Sequence, residues 1–151
     1  MRFPVFLCLM VALPLTVKAQ DSLNVSLKAV SISSDSTEVT LHVGQPTDSL
    51  RVPIWAFEFK LTTTDGIAYL GVSSVSTLAA KDGWTTAANV QNRWAGGFAS
   101  STNAIEVGGT LLAIYLDPSQ KKGNGEVCLT GIRLNSGDPR AIPQDVCTAI
   151  K

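Results

Sequence analysis

Residues 57–62 read Phe57-Glu58-Phe59-Lys60-Leu61-Thr62, apolar and polar in strict alternation. A period of two puts Phe57, Phe59 and Leu61 on one side of an extended strand and Glu58, Lys60 and Thr62 on the other. One face belongs to a core and one to water. Upstream, Glu38-Val39-Thr40-Leu41-His42-Val43 repeats the pattern. Two such strands are the signature of antiparallel sheets that are wet on one side.

The rest of the chain extends this reading. Leu50-Arg51-Val52-Pro53-Ile54 reads as another strand, with Pro53 tolerable only at an edge or bulge, where its missing N–H is not needed. Asp65-Gly66 marks a turn that returns the chain into a strand over 68–74. Short strands are expected over 85–90 and 93–99, and a single helical turn near 76–81. Gly108-Gly109 introduces an apolar run, 110–116, that suits a strand buried on both faces. Lys121-Lys122-Gly123-Asn124-Gly125 is a second turn signal, followed by a strand over 126–134 with Val127, Leu129 and Ile132 facing inward. Asn135-Ser136-Gly137-Asp138-Pro139 ends that strand. Eight or nine short strands with turns between them indicate an all-β sandwich.

The chain has 151 residues, 45% of them apolar, with 12 basic and 12 acidic side chains, which suits one globular domain. Residues 1–19 read as a cleaved secretory signal: Arg2, an apolar run from Phe3 to Val17 and the small-residue exit Val17-Lys18-Ala19. That run is shorter than the roughly 20 residues a spanning helix needs, so no transmembrane span is expected. The product is secreted, to a periplasmic or extracellular compartment. Without Arg2 and Lys18, ten basic face twelve acidic side chains. A slight acidic surplus argues against nucleic acid as a partner.

Cys8 lies inside the signal, which leaves Cys128 and Cys147 as a pair in an exported chain. A disulfide pinning the segment 142–151 to a strand is the favoured reading over free thiols. Neither cysteine stands in a CxxC or Cys/His cluster, so no zinc site is expected. Closing a loop of about 20 residues contributes about 3 kcal/mol in the chain-entropy treatment.

The residues that carry chemistry in enzymes are not assembled into motifs. His42, the single histidine, sits on the polar side of an alternating strand with no serine or cysteine motif beside it. There is no G-x-S-x-G, no H-E-x-x-H and no phosphate-cradling glycine loop. Glu58, Asp82, Glu106 and Asp117 are not spaced to act as a carboxylate pair, and Asp35 with Glu38 are too few hard ligands for calcium. The expectation is a protein without catalysis, cofactor or metal.

With the strands laid out, residues 39–140 resemble a cohesin domain, the nine-stranded jelly-roll-like sandwich best known from cellulosome scaffoldins. The likeness lies in an ordered set of stretches. Val43-Gly44-Gln45-Pro46 running into Val52-Pro53-Ile54 is similar to the family's glycine turn and V-P-V/I strand. Phe57-Glu58-Phe59-Lys60-Leu61 resembles its F-x-F-x-L strand, and Tyr69-Leu70-Gly71-Val72-Ser73-Ser74 its L-x-G-V-S strand. Gly109-Thr110-Leu111-Leu112-Ala113-Ile114-Tyr115-Leu116 resembles G-x-L-x-x-I-x-F, with Leu116 in the last place. Two departures stand out: only Trp55-Ala56 separates the V-P-I and F-x-F-x-L stretches, and Thr63-Thr64-Asp65-Gly66 replaces a Y-D-P corner. The edge near Trp55 is therefore expected to be rearranged or trimmed.

The resemblance implies a sandwich over 20–141 followed by a short tail, 142–151. It also implies a binding module that docks an extracellular protein partner of the dockerin type through one sheet face, in the setting of polysaccharide degradation. Candidate contacts are the outward Glu58 and Lys60 and the turn residues Asn89, Gln91, Asn92 and Arg93, which supply amide and guanidinium donors. The alternative for all six is ordinary solvation of a strand face. A second reading, a carbohydrate-binding module acting on polysaccharide, would use exposed aromatics: Trp55, Trp84, Trp94 and an outward Tyr69. For Trp84 and Trp94, filling the core or capping a loop is the stronger reading. A third is a structural envelope or adhesion protein.

Overall fold

The computed structural model describes residues 23–45, 52–99, 103–135 and 144–151. The expected signal, residues 50 and 51 of the anticipated strand and the turn residues 136–139 lie outside the described residues.

Nine strands and one helical turn follow in the order β1 (Asn24–Ser33), β2 (Ser36–Gly44), β3 (Ala56–Thr63), β4 (Ala68–Ser73), α1 (Leu78–Lys81), β5 (Thr85–Asn89), β6 (Trp94–Phe98), β7 (Gly109–Asp117), β8 (Gly125–Leu134) and β9 (Val146–Ile150). They form two antiparallel sheets, one in the order β1-β2-β7-β4 and the other β5-β6-β3-β8-β9. The all-β sandwich read from the alternation is what the chain folds into. Val39, Leu41 and Val43 of β2 and Phe57, Phe59 and Leu61 of β3 are buried, as their period requires.

On the inner face of the five-stranded sheet, large side chains meet small ones. Phe57 pairs with Gly97 and Phe59 with Ala95 across β3 and β6. The rings of Phe57, Phe59 and Trp84 stack, with Phe57 centred 6.2 Å from Phe59 and 5.9 Å from Trp84. Such near-parallel arrangements add to the gain from burying the rings.

Asp65-Gly66 is a turn, but not within a hairpin. β3 and β4 belong to different sheets, so it is a corner that carries the chain over the open side of the sandwich. Thr63 Oγ1 donates to the Ile67 carbonyl and the Glu126 N–H donates to Thr64 Oγ1, fixing the corner to its neighbours.

Bulges shift the alternation in β7, β4 and β8. In β7, Leu41 faces Leu112 while His42 faces Thr110, leaving Leu111 as the extra residue. Leu111 and Leu112 are both buried in consequence. Within the apolar run 110–116, residues 111–114 are buried at every position: the bulge accounts for Leu111, and the small Ala113 is buried on the other side of the strand from Leu112 and Ile114. In β4 the extra residue is Leu70, exposed, and the phase turns Tyr69 inward. In β8 the register slips opposite Phe59 at Gly131, which has φ +57, a conformation glycine adopts without a Cβ clash. Val127 and Leu129 before the slip and Ile132 and Leu134 after it all face the core.

Residues 52–55 are not a regular strand. One isolated bridge joins Ile54 to Ile105. The Trp55 carbonyl accepts from the Ala99 N–H at 2.8 Å, and other backbone groups of the segment are met by side-chain amides: Gln45 bonds both the N–H and the C=O of Val52, at 3.1 and 3.0 Å. Asn135 accepts from the Trp55 N–H at 2.7 Å and donates to the Pro53 carbonyl at 2.6 Å. Pro53 and the short connection leave no room for a ladder, and two carboxamides stand in for it.

Within the expected tail, residues 146–150 are tied back, and they are tied as a strand. β9 is the edge of the five-stranded sheet, with Ile150 in the core and Cys147 directly opposite Cys128. The two cysteines form a disulfide at a Cα separation of 4.0 Å. Lys121 Nζ donates to the Ile150 carbonyl at 2.9 Å at the far end of the strand.

Candidate functional site

The outward face of the five-stranded sheet gathers most of the residues singled out in the sequence. Glu58 and Lys60 project from β3, and Asn89, Gln91, Asn92 and Arg93 belong to the β5–β6 hairpin beside it. The register aligns Lys60, Trp94 and Asn89 in one row across three strands, and Glu58, Gly96 and Ala87 in the next. A third row is Ala56, Phe98 and Thr85.

Two aromatics therefore stand on this face, Trp94 and Phe98, with Gly96 between them. A Cβ built on Gly96 would lie 2.7 and 2.9 Å from Trp94 Cζ2 and Cη2, so the indole is folded down over the glycine. Phe98 stands up, 56% exposed. Between them lies a depression of about 350 Å³ floored by Gly96, Ala87 and Ala56, with Glu58 and Arg133 at its rim. Arg133 Nη1 pairs with Glu58 Oε1 at 3.4 Å, an exposed ion pair worth at most about 1 kcal/mol. Lys60 has no ion-pair partner among the described residues, whereas Arg93 Nη1 donates to Thr63 Oγ1 at 3.0 Å. Asn89 Oδ1 accepts from the Asn92 N–H at 2.9 Å, which shapes the hairpin turn.

The four aromatics proposed for sugar stacking do not form a strip. Tyr69, expected outward, is only 4% exposed, because the bulge at Leu70 reverses the phase of β4. Among the described residues its hydroxyl has no hydrogen-bond partner, and burial pushes its pKa up to about 12. Trp84 is a core residue, 7% exposed, with its Nε1–H donating to the Asn103 carbonyl at 3.0 Å. Trp55, 43% exposed, lies in the irregular edge segment. Only Trp94 lies on the outward face, half-buried rather than in the core.

His42 is half-buried on the outer face of the other sheet. Its Nε2 lies 3.0 Å from Thr40 Oγ1 and its Nδ1 3.3 Å from Thr110 Oγ1. Glu126, Cys128 and Cys147 bring potential metal-binding atoms within 4.8 Å of one another, but the two sulfurs are bonded to each other and are not ligands. Among the described residues no helix is long and apolar enough to cross a membrane.

Neither a protein-family profile nor a curated protein sequence matches the chain. Solved structures do. A cohesin module from a family 33 glycoside hydrolase of Clostridium perfringens superposes with a TM-score of 0.63 at 15% identity, over 87% of this chain and 96% of that one. The third ScaC cohesin of Acetivibrio cellulolyticus, solved in complex with the ScaB dockerin, gives 0.57 at 17% identity over 83% and 96%. A non-cellulosomal cohesin of the archaeon Archaeoglobus fulgidus gives 0.55 at 15% identity over 84% and 91%. The fold is that of a cohesin module. The resemblance first carried by scattered strand motifs thus holds for the architecture as a whole, and this cohesin-like domain presents its candidate residues on the sheet that ends in β9.

Two members of the face escaped the sequence reading. Arg133 falls on the inward phase if 127–133 alternate without interruption, and only the bulge at Gly131 brings it out. Phe98 alternates with Gly97, and its outward direction follows from the need of Phe57 for a small partner across the pair.

Proposed function

We propose that this domain is an exported, non-catalytic docking module that binds a dockerin-type protein through the outward face of β5, β6, β3 and β8. The observation that carries this reading is the convergence of Glu58, Lys60, Asn89, Asn92 and Arg133 around Trp94 and Phe98. Apolar centre and polar, hydrogen-bonding rim are the anatomy of a protein interface. Solved modules of the same fold in complexes with dockerins support the choice of partner class. The disulfide and the signal-like residues 1–19 support an oxidising compartment outside the cytoplasm. A role in polysaccharide degradation would come through the partner. Direct glycan binding is the weaker reading, because a stacking strip needs several coplanar exposed aromatics, whereas here Trp94 is folded down over Gly96 and Phe98 stands up across the depression from it.

The test is isothermal titration of the domain with a panel of calcium-loaded dockerins, with and without chelator, beside a glycan array. Glu58→Ala combined with Lys60→Ala should leave the melting temperature within a few degrees of the parent, since both side chains reach solvent. The same double substitution should weaken dockerin binding at least tenfold. Unchanged affinity would place the interface elsewhere, and binding to glycans alone would overturn protein docking.

A further inference from the structure

We propose that Glu126, Cys128 and Cys147 form a site for a thiophilic divalent cation such as zinc, closed while the two cysteines are bonded and opened when an external dithiol reduces them. The site is independent of the docking reading.

Backbone placement comes first. Cys128 and Cys147 stand directly opposite each other in β8 and β9, with Cα atoms 4.0 Å apart. The bond between them is not all that holds them there. The ladder runs from Gly125 opposite Ile150 to Leu129 opposite Val146, and Ile150 is in the core. A further tie secures each end of β9: Lys121 Nζ donates to the Ile150 carbonyl, and Asp145 Oδ1 accepts from the Gly131 N–H at 3.0 Å. After reduction the two thiols therefore still face each other.

Glu126 supplies the third donor. It precedes Cys128 by two residues on the same outward face of β8, and its neighbour across the ladder is Ala149. That small side chain leaves the carboxylate room to lean along the strand, and one of its oxygens and both sulfurs lie within 4.8 Å of one another. Among the described residues Glu126 has no ion-pair partner, and Glu126 and Cys147 are both exposed. Cation and reductant can reach the cluster from the edge of the sheet.

Donor chemistry selects the ion. Calcium and magnesium take oxygen ligands, so a site with two sulfurs does not suit them. Two thiolates and one carboxylate, with water in the fourth place, make a tetrahedral zinc set. Sulfurs bound to one zinc at about 2.3 Å stand roughly 3.8 Å apart, a separation that rotation of two opposed side chains provides.

The steps balance. The dithiol gives two electrons and two protons; its own sulfurs become bonded to each other, and the bond between Cys128 and Cys147 breaks to leave two thiols. Zinc then displaces both thiol protons and is held by the two Sγ atoms and a Glu126 oxygen. Because zinc binds only the reduced chain, it opposes re-formation of the disulfide.

The test compares the oxidised chain with the chain reduced by a phosphine that is then removed under nitrogen. Native mass spectrometry should find one zinc per reduced monomer and none on the oxidised chain, and cadmium should give a thiolate charge-transfer band in the ultraviolet at the same stoichiometry. Glu126→Gln, at an exposed position, should lower zinc affinity by at least about tenfold, and Glu126→His, which restores a ligand, should recover most of it. With zinc at about 100 times its Kd, re-formation of the disulfide by oxidised glutathione should slow about a hundredfold, and EDTA should remove that protection. Zinc shared between two chains, equal binding to the oxidised chain, or an affinity untouched by Glu126→Gln would each overturn the site. So would loss of amide-exchange protection along β9 on reduction, because the two thiols would then no longer be held opposite each other.

Discussion

Gly96 and Gly97 sit side by side in β6 and accommodate aromatic rings on opposite faces of the sheet. Gly96 receives the Trp94 indole outside, and Gly97 receives the Phe57 ring inside, where a Cβ would come within 2.7 and 2.9 Å of it. The two positions should respond differently to alanine. The outer indole can swing away into solvent, which leaves the Phe57 carbonyl oxygen at 3.0 Å as the fixed obstacle, so Gly96→Ala should cost about 1 kcal/mol, at the low end of overpacking, while displacing the platform of the candidate site. Phe57 is enclosed by Phe59 and Trp84 and cannot move freely, so Gly97→Ala should cost roughly 1–3 kcal/mol as an overpacked core does. Urea denaturation of the two variants measures the difference; equal losses would mean that the indole is not free to lift.

Tyr69 offers a second single-residue test. Its phenol is buried without a partner and holds its proton up to about pH 12, whereas in the unfolded chain it ionises near pH 10. The unfolded state therefore binds fewer protons than the folded state between these values. The contribution to stability is complete below pH 10, falls as the pH rises above it and is gone once the pH passes about 12, a loss of roughly 2–3 kcal/mol. Tyr69→Phe removes the lone hydroxyl and the titration together. It should be neutral or stabilising by about 1 kcal/mol at pH 7, and its advantage over the parent should widen between pH 10 and 12. A constant difference across that range would show that Tyr69 does not titrate as described.

Among the elements, β9 combines two fastenings whose contributions can be separated. The disulfide closes a loop between residues 19 apart in sequence, for which the chain-entropy treatment gives about 3 kcal/mol. The ladder to β8 and the buried Ile150 hold the strand independently of it. Cys128→Ser with Cys147→Ser should lower stability by about 3 kcal/mol, and the remaining fold should still melt cooperatively. A loss below about 0.5 kcal/mol, read by urea denaturation, would mean that the pairing alone fixes the strand.

The elements also show where a sequence is readable. β2 and β3 were legible because each is an uninterrupted period of two with one face in the core. β7 and β4 were legible as strands but not in orientation, since one inserted residue, Leu111 or Leu70, reverses every side chain beyond it without changing composition. The segment 52–55 read as a strand because its Val-Pro-Ile composition is that of one. Beside a few backbone bonds to Ile105 and Ala99, its hydrogen bonds come from Gln45 and Asn135, which lie 7 and 80 residues from their partners and leave no local trace. At the candidate site, Glu58 and Lys60 were visible from the alternation and Asn89 through Arg93 from their turn chemistry. Trp94 was visible as a candidate aromatic but not in its placement, because an aromatic on a short strand reads more readily as core filling or a loop cap than as surface display.

At the scale of the molecule, the three tryptophans lie at three kinds of site, and this allows the docking face to be tested without knowing its partner's structure. Trp84 is in the core and bonded to Asn103, Trp55 lies in the irregular edge segment, and Trp94 lies on the outward face of the five-stranded sheet. A partner covering that face buries Trp94, whereas a glycan bound along an aromatic strip would have to engage Trp55 as well. With 5-fluorotryptophan in place of tryptophan, the chain should give three fluorine resonances, assigned by Trp→Phe replacement of each in turn. Solvent-isotope and paramagnetic-quencher effects should be large for Trp55, intermediate for Trp94 and near zero for Trp84. On saturation with a bound dockerin, the Trp94 resonance should move and lose its quenching, while Trp84 and Trp55 stay where they are. Movement of Trp55 with Trp94 unchanged would transfer the interface to the edge held by Asn135.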